Sequence, residues 1–136
     1  MYRLAKRFSF CAAHRLLDLP DGQKCSRLHG HNYEVEIVAQ TPLLDQRGFA
    51  QLDYAEFSPF KSWFDGEIDH RTILTASDPL CDALSADNIV VVAFNTTAEN
   101  LAKWFLDVAR AKVSPFVSSV WIAETPSTWV EYKAPN

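Results

Sequence analysis

The chain has 136 residues, 48% of them apolar and 22% charged, with a formal net charge of −4. This is the size of one domain spanning 1–136, with an ordinary globular composition, and the acidic balance excludes a general nucleic-acid-binding surface. No apolar run approaches a membrane-spanning length; three cysteines without a framework spacing and an N-terminus that alternates charge and apolarity point to a cytoplasmic protein.

Residues 2–13 place Tyr2, Leu4, Phe8, Phe10 and Ala12 on one face, broken only by Lys6. That alternation predicts a strand, with residues 31–40 as its antiparallel partner. The connection between them is long for a hairpin, contains the turn signal Pro20-Asp21-Gly22, and carries Cys25 and His29. Residues 44–48 form a polar turn, after which 49–52 either extend the strand or form a short ribbon.

Asp53-Tyr54-Ala55-Glu56 has the form of a capping box and predicts a helix running toward Phe64. Pro59 requires an irregular first turn or a start at Ser58 with proline at the first helical position. Residues 66–94 carry the weakest local signals, although the apolar, β-branched run 88–94 fits a short strand or a buried extended segment. Thr96-Thr97-Ala98-Glu99 reads as a second capping box; Ala98, Leu101, Ala102, Phe105, Val108 and Ala109 make the apolar stripe of a helix ending near Lys112. Residues 117–124 and 128–133 then form a closing hairpin around Pro126. The order ββααββ gives an α+β layer, a four-stranded antiparallel sheet with two helices on one face.

The four histidines fall into two short clusters. In the first strand His14 shares a face with Phe8, Phe10 and Ala12. In the second, His31 shares a face with Tyr33, Val35 and Ile37, and His29 points the same way if the strand reaches back to it. Three imidazoles at the ends of neighbouring apolar faces suit a zinc ion with one open coordination position. Isolated histidines bonded to backbone are the plain alternative, and a closed structural zinc with Cys25 as fourth ligand is another.

Phe10-Cys11-Ala12-Ala13-His14, the C-x₃-H-G-H run from Cys25 to His31, Asp69-His70, Thr97-Ala98-Glu99-Asn100 and Glu124-Thr125 occur in this order. The set resembles the 6-pyruvoyl-tetrahydropterin synthases over nearly the whole chain, with the bacterial 6-carboxytetrahydropterin synthases of the queuosine pathway as the most similar branch. The resemblance implies a tunnelling fold, in which the four-stranded sheets of three subunits join into a barrel and two trimers stack into a homohexamer. It implies 7,8-dihydroneopterin triphosphate as substrate and zinc as cofactor. The pattern departs after Asp69-His70, where Arg71-Thr72 stands for the usual Leu-Asn. Thr96 replaces the proline that often precedes Thr-Ala-Glu-Asn.

Within that reading, His14, His29 and His31 hold a zinc that acidifies the substrate's side-chain hydroxyls and adjacent C–H bonds. Cys25, four residues before His29, serves as the thiolate base, or is an ordinary loop thiol. Asp69 orients His70 as a second proton carrier, unless the two are a surface pair. Glu124 ends the apolar row Val120, Ile122, and its carboxylate matches the adjacent N–H donors of a pterin. Thr97 and Glu99 are secondary pterin contacts, Glu99 being explained already as a capping-box partner. Arg15, Lys24 and Arg27 flank the ligands and stand outside the expected site. The product is 6-carboxy-5,6,7,8-tetrahydropterin with acetaldehyde and triphosphate, or alternatively the 6-pyruvoyl compound by triphosphate elimination. A non-catalytic, zinc-stabilised ligand-binding module using Cys25 as a ligand is the reading from another class. No nucleic-acid or membrane partner is expected.

Overall fold

The computed structural model of the chain describes residues 1–135. Its frame is a long hairpin of β1 (Tyr2–His14) and β2 (His29–Thr41), paired without a break from Tyr2↔Thr41 to His14↔His29. The alternating pattern sets this register, since a slip of one residue would turn Phe8, Phe10 and Ala12 out to solvent. The connection carrying Cys25 folds back as a 3₁₀ turn, Lys24–Ser26, tied down by Leu16 N–H donating to Cys25 O at 2.8 Å.

The sheet holds six strands among the described residues, in the order β4-β3-β1-β2-β5-β6. Four of them (β1, β2, β5 at Val117–Thr125 and β6 at Thr128–Lys133) form the expected antiparallel unit. The other two, β3 (Arg71–Thr75) and β4 (Ile89–Val92), add parallel to β1 and to each other, so the sheet is mixed. β4 matches the apolar run expected near 88–94. β3 had no expectation, because five residues with buried Ile73 and Leu74 carry little alternation and become a strand only by pairing with residues about sixty positions away.

Residues 54–68 form one helical segment in three gauges: a 3₁₀ turn Tyr54–Phe57, α1 (Ser58–Trp63) and a π turn Phe64–Ile68. Both expected starts are realised. The Asp53/Glu56 capping box opens the 3₁₀ turn, and Pro59 sits in the first turn of α1, where its missing N–H costs nothing. A short α2 (Leu80–Ala83) follows, and then α3 (Ala98–Lys112). The N-cap of α3 is Thr97, whose hydroxyl accepts from Asn100 N–H at 3.3 Å. The expected cap at Thr96 is therefore one residue early, and Glu99 is not its capping-box partner.

Phe57, Phe60, Phe64 and Ile68 from the helical segment and Leu101, Phe105 and Leu106 from α3 pack on the inward row of the sheet. Phe10 stacks between Tyr33 (4.7 Å) and Phe64 (4.8 Å). The opposite face of the hairpin is polar, with Arg7 donating to Glu36, Ser9 to Glu34 and Cys11 to Asn32.

Candidate metal centre and active site

The inward row that builds the core ends in the three expected histidines. His14 closes β1 directly opposite His29, and Ala12 is opposite His31, so all three rings emerge on one face at one end of the hairpin. Their centroids lie 4.7, 4.8 and 5.2 Å apart, and one ring nitrogen from each lies within 4.8 Å of the other two.

Two of the rings are fixed by backbone carbonyls. His14 Nδ1–H donates to Thr96 O at 2.8 Å and His29 Nδ1–H to Arg27 O at 2.7 Å, which leaves each Nε2 as a lone-pair donor. His14 Nε2 is buried and has no hydrogen-bond partner among the described residues, although a buried polar atom without a partner is expensive. Burial above all, opposed by the Thr96 hydrogen bond and helped by His29 and His31, brings the His14 imidazole down to about 4. A neutral ring with an unused nitrogen, facing two others, is the donor set a divalent metal ion takes.

The start of α3 is stitched onto the residues after His14. Asn95 exchanges hydrogen bonds with the backbone of Leu17, and Thr96 Oγ1 donates to Arg15 O at 3.2 Å. Arg15 turns away from the cluster, donating through two nitrogens to the fully buried carboxylate of Asp78. The segment from Asp78 is thereby clamped to the chain just after His14, and Arg15 is occupied as a structural cation.

Glu124 lies where the β5–β6 register shifts between Ala123 and Thr125, so it has no cross-strand partner. Such a bulge re-aims a side chain, and Glu124 Oε1 comes to 3.7 Å from His14 Nε2. Burial raises its carboxyl pKa, partly offset by His29. A cavity of about 410 Å³ beside it is lined by Leu16, Thr97, Glu99, Ile122, Glu124 and Val130 among others. Glu99 lines this wall, and with Thr97 as the N-cap it is the second residue of the helix and not a capping-box partner.

Cys25 is exposed, and no cysteine sulfur joins the three histidines within the 4.8 Å grouping among the described residues. Asp69 and His70 form a separate cluster with Cys11, which strand alternation alone could not link to residues 58 positions away. The Cys11 N–H and the His70 ring hold the Asp69 carboxyl below its ordinary value. His70 takes a left-handed φ of 62° as the chain leaves the π turn. Cys11, His31, Asn32 and His70 line one open cavity of about 390 Å³.

A mixed sheet with helices packed on its inward face and three histidines converging from a single hairpin define a tunnelling-fold protein with a candidate metal site. The family model for 6-pyruvoyl tetrahydropterin synthase matches residues 3–135, and the chain belongs to that family. It is 31% identical over 144 residues to the 6-carboxy-5,6,7,8-tetrahydropterin synthase of Haemophilus influenzae, covering 98% of this chain and 99% of that one. To the enzyme of the same name from Rickettsia conorii it is 30% identical over 140 residues, covering 96% and 99%. An uncharacterised protein of Wolinella succinogenes superposes with a TM-score of 0.87 at 28% identity, covering 98% of each chain. The 6-pyruvoyl tetrahydropterin synthase of Caenorhabditis elegans has the same fold, with a TM-score of 0.72 at 24% identity, covering 98% and 96%.

Proposed function

We propose that this chain is a zinc-dependent 6-carboxytetrahydropterin synthase of queuosine biosynthesis. It converts 7,8-dihydroneopterin triphosphate to 6-carboxy-5,6,7,8-tetrahydropterin, releasing acetaldehyde and triphosphate. The observation that carries this reading is the unpartnered, buried Nε2 of His14 facing His29 and His31, with a carboxylate 3.7 Å away. The 6-carboxy names of the two full-length relatives favour this product over the 6-pyruvoyl one.

His14, His29 and His31 hold the zinc; when bound, it supplies Lewis-acid polarisation of the substrate's side-chain hydroxyls. Glu124 accepts from the adjacent N–H donors of the pterin ring, and Thr97 and Glu99 complete that wall. Cys25 takes a proton from the side chain, and its separation from the histidine group keeps its sulfur off the metal. His70 moves the second proton, with Asp69 Oδ2 3.0 Å from His70 Nδ1 fixing the ring.

The chain works as one domain in a cytoplasmic homohexamer of two stacked trimers. Among the described residues β4 and β6 are the two edge strands, each with one side of its backbone unpaired, and they carry the exposed apolar residues Val91 and Trp129. Closing three sheets into a barrel covers both edges, and residues from more than one subunit complete each pocket.

The test is product analysis of zinc-loaded protein with 7,8-dihydroneopterin triphosphate. The expected products are 6-carboxytetrahydropterin and a trapped equivalent of acetaldehyde. A 6-pyruvoyl product without acetaldehyde would overturn the reaction assigned here, and full turnover by His14→Ala would overturn the metal centre.

A further inference from the structure

Cys11 projects from the face of β1 opposite His14, and the proposed reaction leaves it without a task. Its backbone is a fixed point for the Asp69–His70 turn. Cys11 N–H donates to Asp69 Oδ1 at 2.9 Å, and His70 N–H donates to Cys11 O at 2.7 Å. His70 holds its left-handed backbone in this arrangement, and Asp69 Oδ2 faces the His70 ring at 3.0 Å. The outcome is a thiol, a carboxylate oxygen and an imidazole nitrogen all within 4.8 Å of one another. The side-chain oxygen of Asn32 stands 3.0 Å from Cys11 Sγ as a further oxygen donor.

From this geometry we infer that Cys11, Asp69 and His70 form a second metal site, selective for zinc-like divalent ions, distinct from the three-histidine centre. Mixed sulfur, nitrogen and oxygen ligands at this spacing match the preferences of zinc and cobalt(II), and exclude magnesium and calcium, which take oxygen alone. Binding releases the thiol proton to solvent as the sulfur becomes a thiolate ligand. Two backbone hydrogen bonds hold the Asp69–His70 turn against Cys11, and the Asp69–His70 side-chain contact orients the imidazole, so few side-chain rotations separate the free and bound forms. The ion also engages the ring of His70. Resting on the reading of His70 as a proton carrier, occupation of the second site inhibits turnover, so that excess metal ion shuts off the reaction that the first equivalent supports.

The experiment starts from protein carrying one zinc per chain and titrates it with cobalt(II). The expected result is one further equivalent bound, with thiolate-to-cobalt charge-transfer absorption in the near ultraviolet, which a three-histidine centre cannot produce. That absorption is lost in Cys11→Ala and Cys11→Ser and retained in Cys25→Ala. Absence of a second equivalent, or absorption that survives both Cys11 variants, overturns the site. In parallel, excess zinc abolishes turnover of the parent and spares Cys11→Ala. If the absorption appears and turnover is unaffected, the inhibitory role falls together with the proton role of His70, while the metal site stands.

Discussion

Removing Arg15 should be more damaging than neutralising Asp78, although each change breaks the same ion pair. Asp78 is fully buried, whereas the Arg15 side chain retains 24% exposure. In Arg15→Met the carboxylate loses its cation and keeps only the Leu80 N–H at 2.8 Å. An uncompensated buried charge costs about 3–5 kcal/mol. Protonation sets a ceiling: neutralising a carboxyl of ordinary pKa 3.8 at neutral pH costs about 4 kcal/mol. We therefore expect a loss of about 3–4 kcal/mol, which for 136 residues lowers Tm by roughly 10–14 °C. In Asp78→Asn the guanidinium can still reach water, so the loss should be nearer 2 kcal/mol, or about 7 °C. The pH dependence has a definite sign. Arg15 lowers the Asp78 carboxyl pKa, so its stabilisation is complete above the unfolded value and disappears as pH falls through the folded one. The Tm gap between parent and Arg15→Met should be widest at and above neutral pH and narrow as pH falls from about 7 toward 4, as the unpaired carboxyl of the variant protonates, the parent losing its own ion pair only at lower pH. Thermal unfolding across that range is the assay. Equal losses for the two variants, or a gap that does not change with pH, would refute the reasoning.

His14→Ala, His29→Ala and His31→Ala should each lose stoichiometric zinc, read by elemental analysis, because two ligands hold the ion far more weakly than three. Cys25→Ala should keep its zinc and lose turnover; loss of zinc instead would mean that its sulfur is a ligand. Glu124→Gln turns one acceptor into a donor facing the pterin, and should cost on the order of 2–4 kcal/mol in kcat/KM at normal zinc content. An effect within threefold would show that Glu124 is only a strand-end carboxylate. Tyr33 has a fully buried hydroxyl without a hydrogen-bond partner, so Tyr33→Phe should leave stability unchanged or raise it by up to about 1 kcal/mol. A clear drop in Tm would reveal a partner for that hydroxyl.

The parts legible in the sequence are those that local pattern dictates. Alternation sets β1 and β2 and puts His14, His29 and His31 on one inward face, and the Asp53 capping box and the stripe of α3 mark both long helical segments. What stayed illegible depends on distant pairing. β3 exists because it docks beside Ala12, Ala13 and His14, and the partnership of Arg15 with Asp78 spans 63 positions. Thr96 and Thr97 offer equally good caps in sequence. The hydrogen bonds of Thr96 to Arg15 and His14 use that residue elsewhere and pass the capping role to Thr97. Local pattern likewise gives Cys11 no partners, since its neighbours Asp69 and His70 are brought to it only by the π turn and the docking of β3.

The pairing around the histidines is unequal on the two strands. Residues 12–14 are hydrogen-bonded on both sides, to β2 and to β3, whereas residues 29–33 pair only with β1, because the ladder to β5 begins at Glu34. The site therefore resembles a vice with one fixed jaw and one moving jaw. His14 is anchored in the middle of the sheet, while the tip of β2 has backbone pairing on one side only and is tied to β5 through the His31 ring and the Glu124 backbone. If the three histidines take up the proposed ion, its capture should end on the His29–His31 side and its release begin there. Amide exchange should record this as slow exchange at 12–14 in either state, with exchange at 29–31 slowing only when metal is bound.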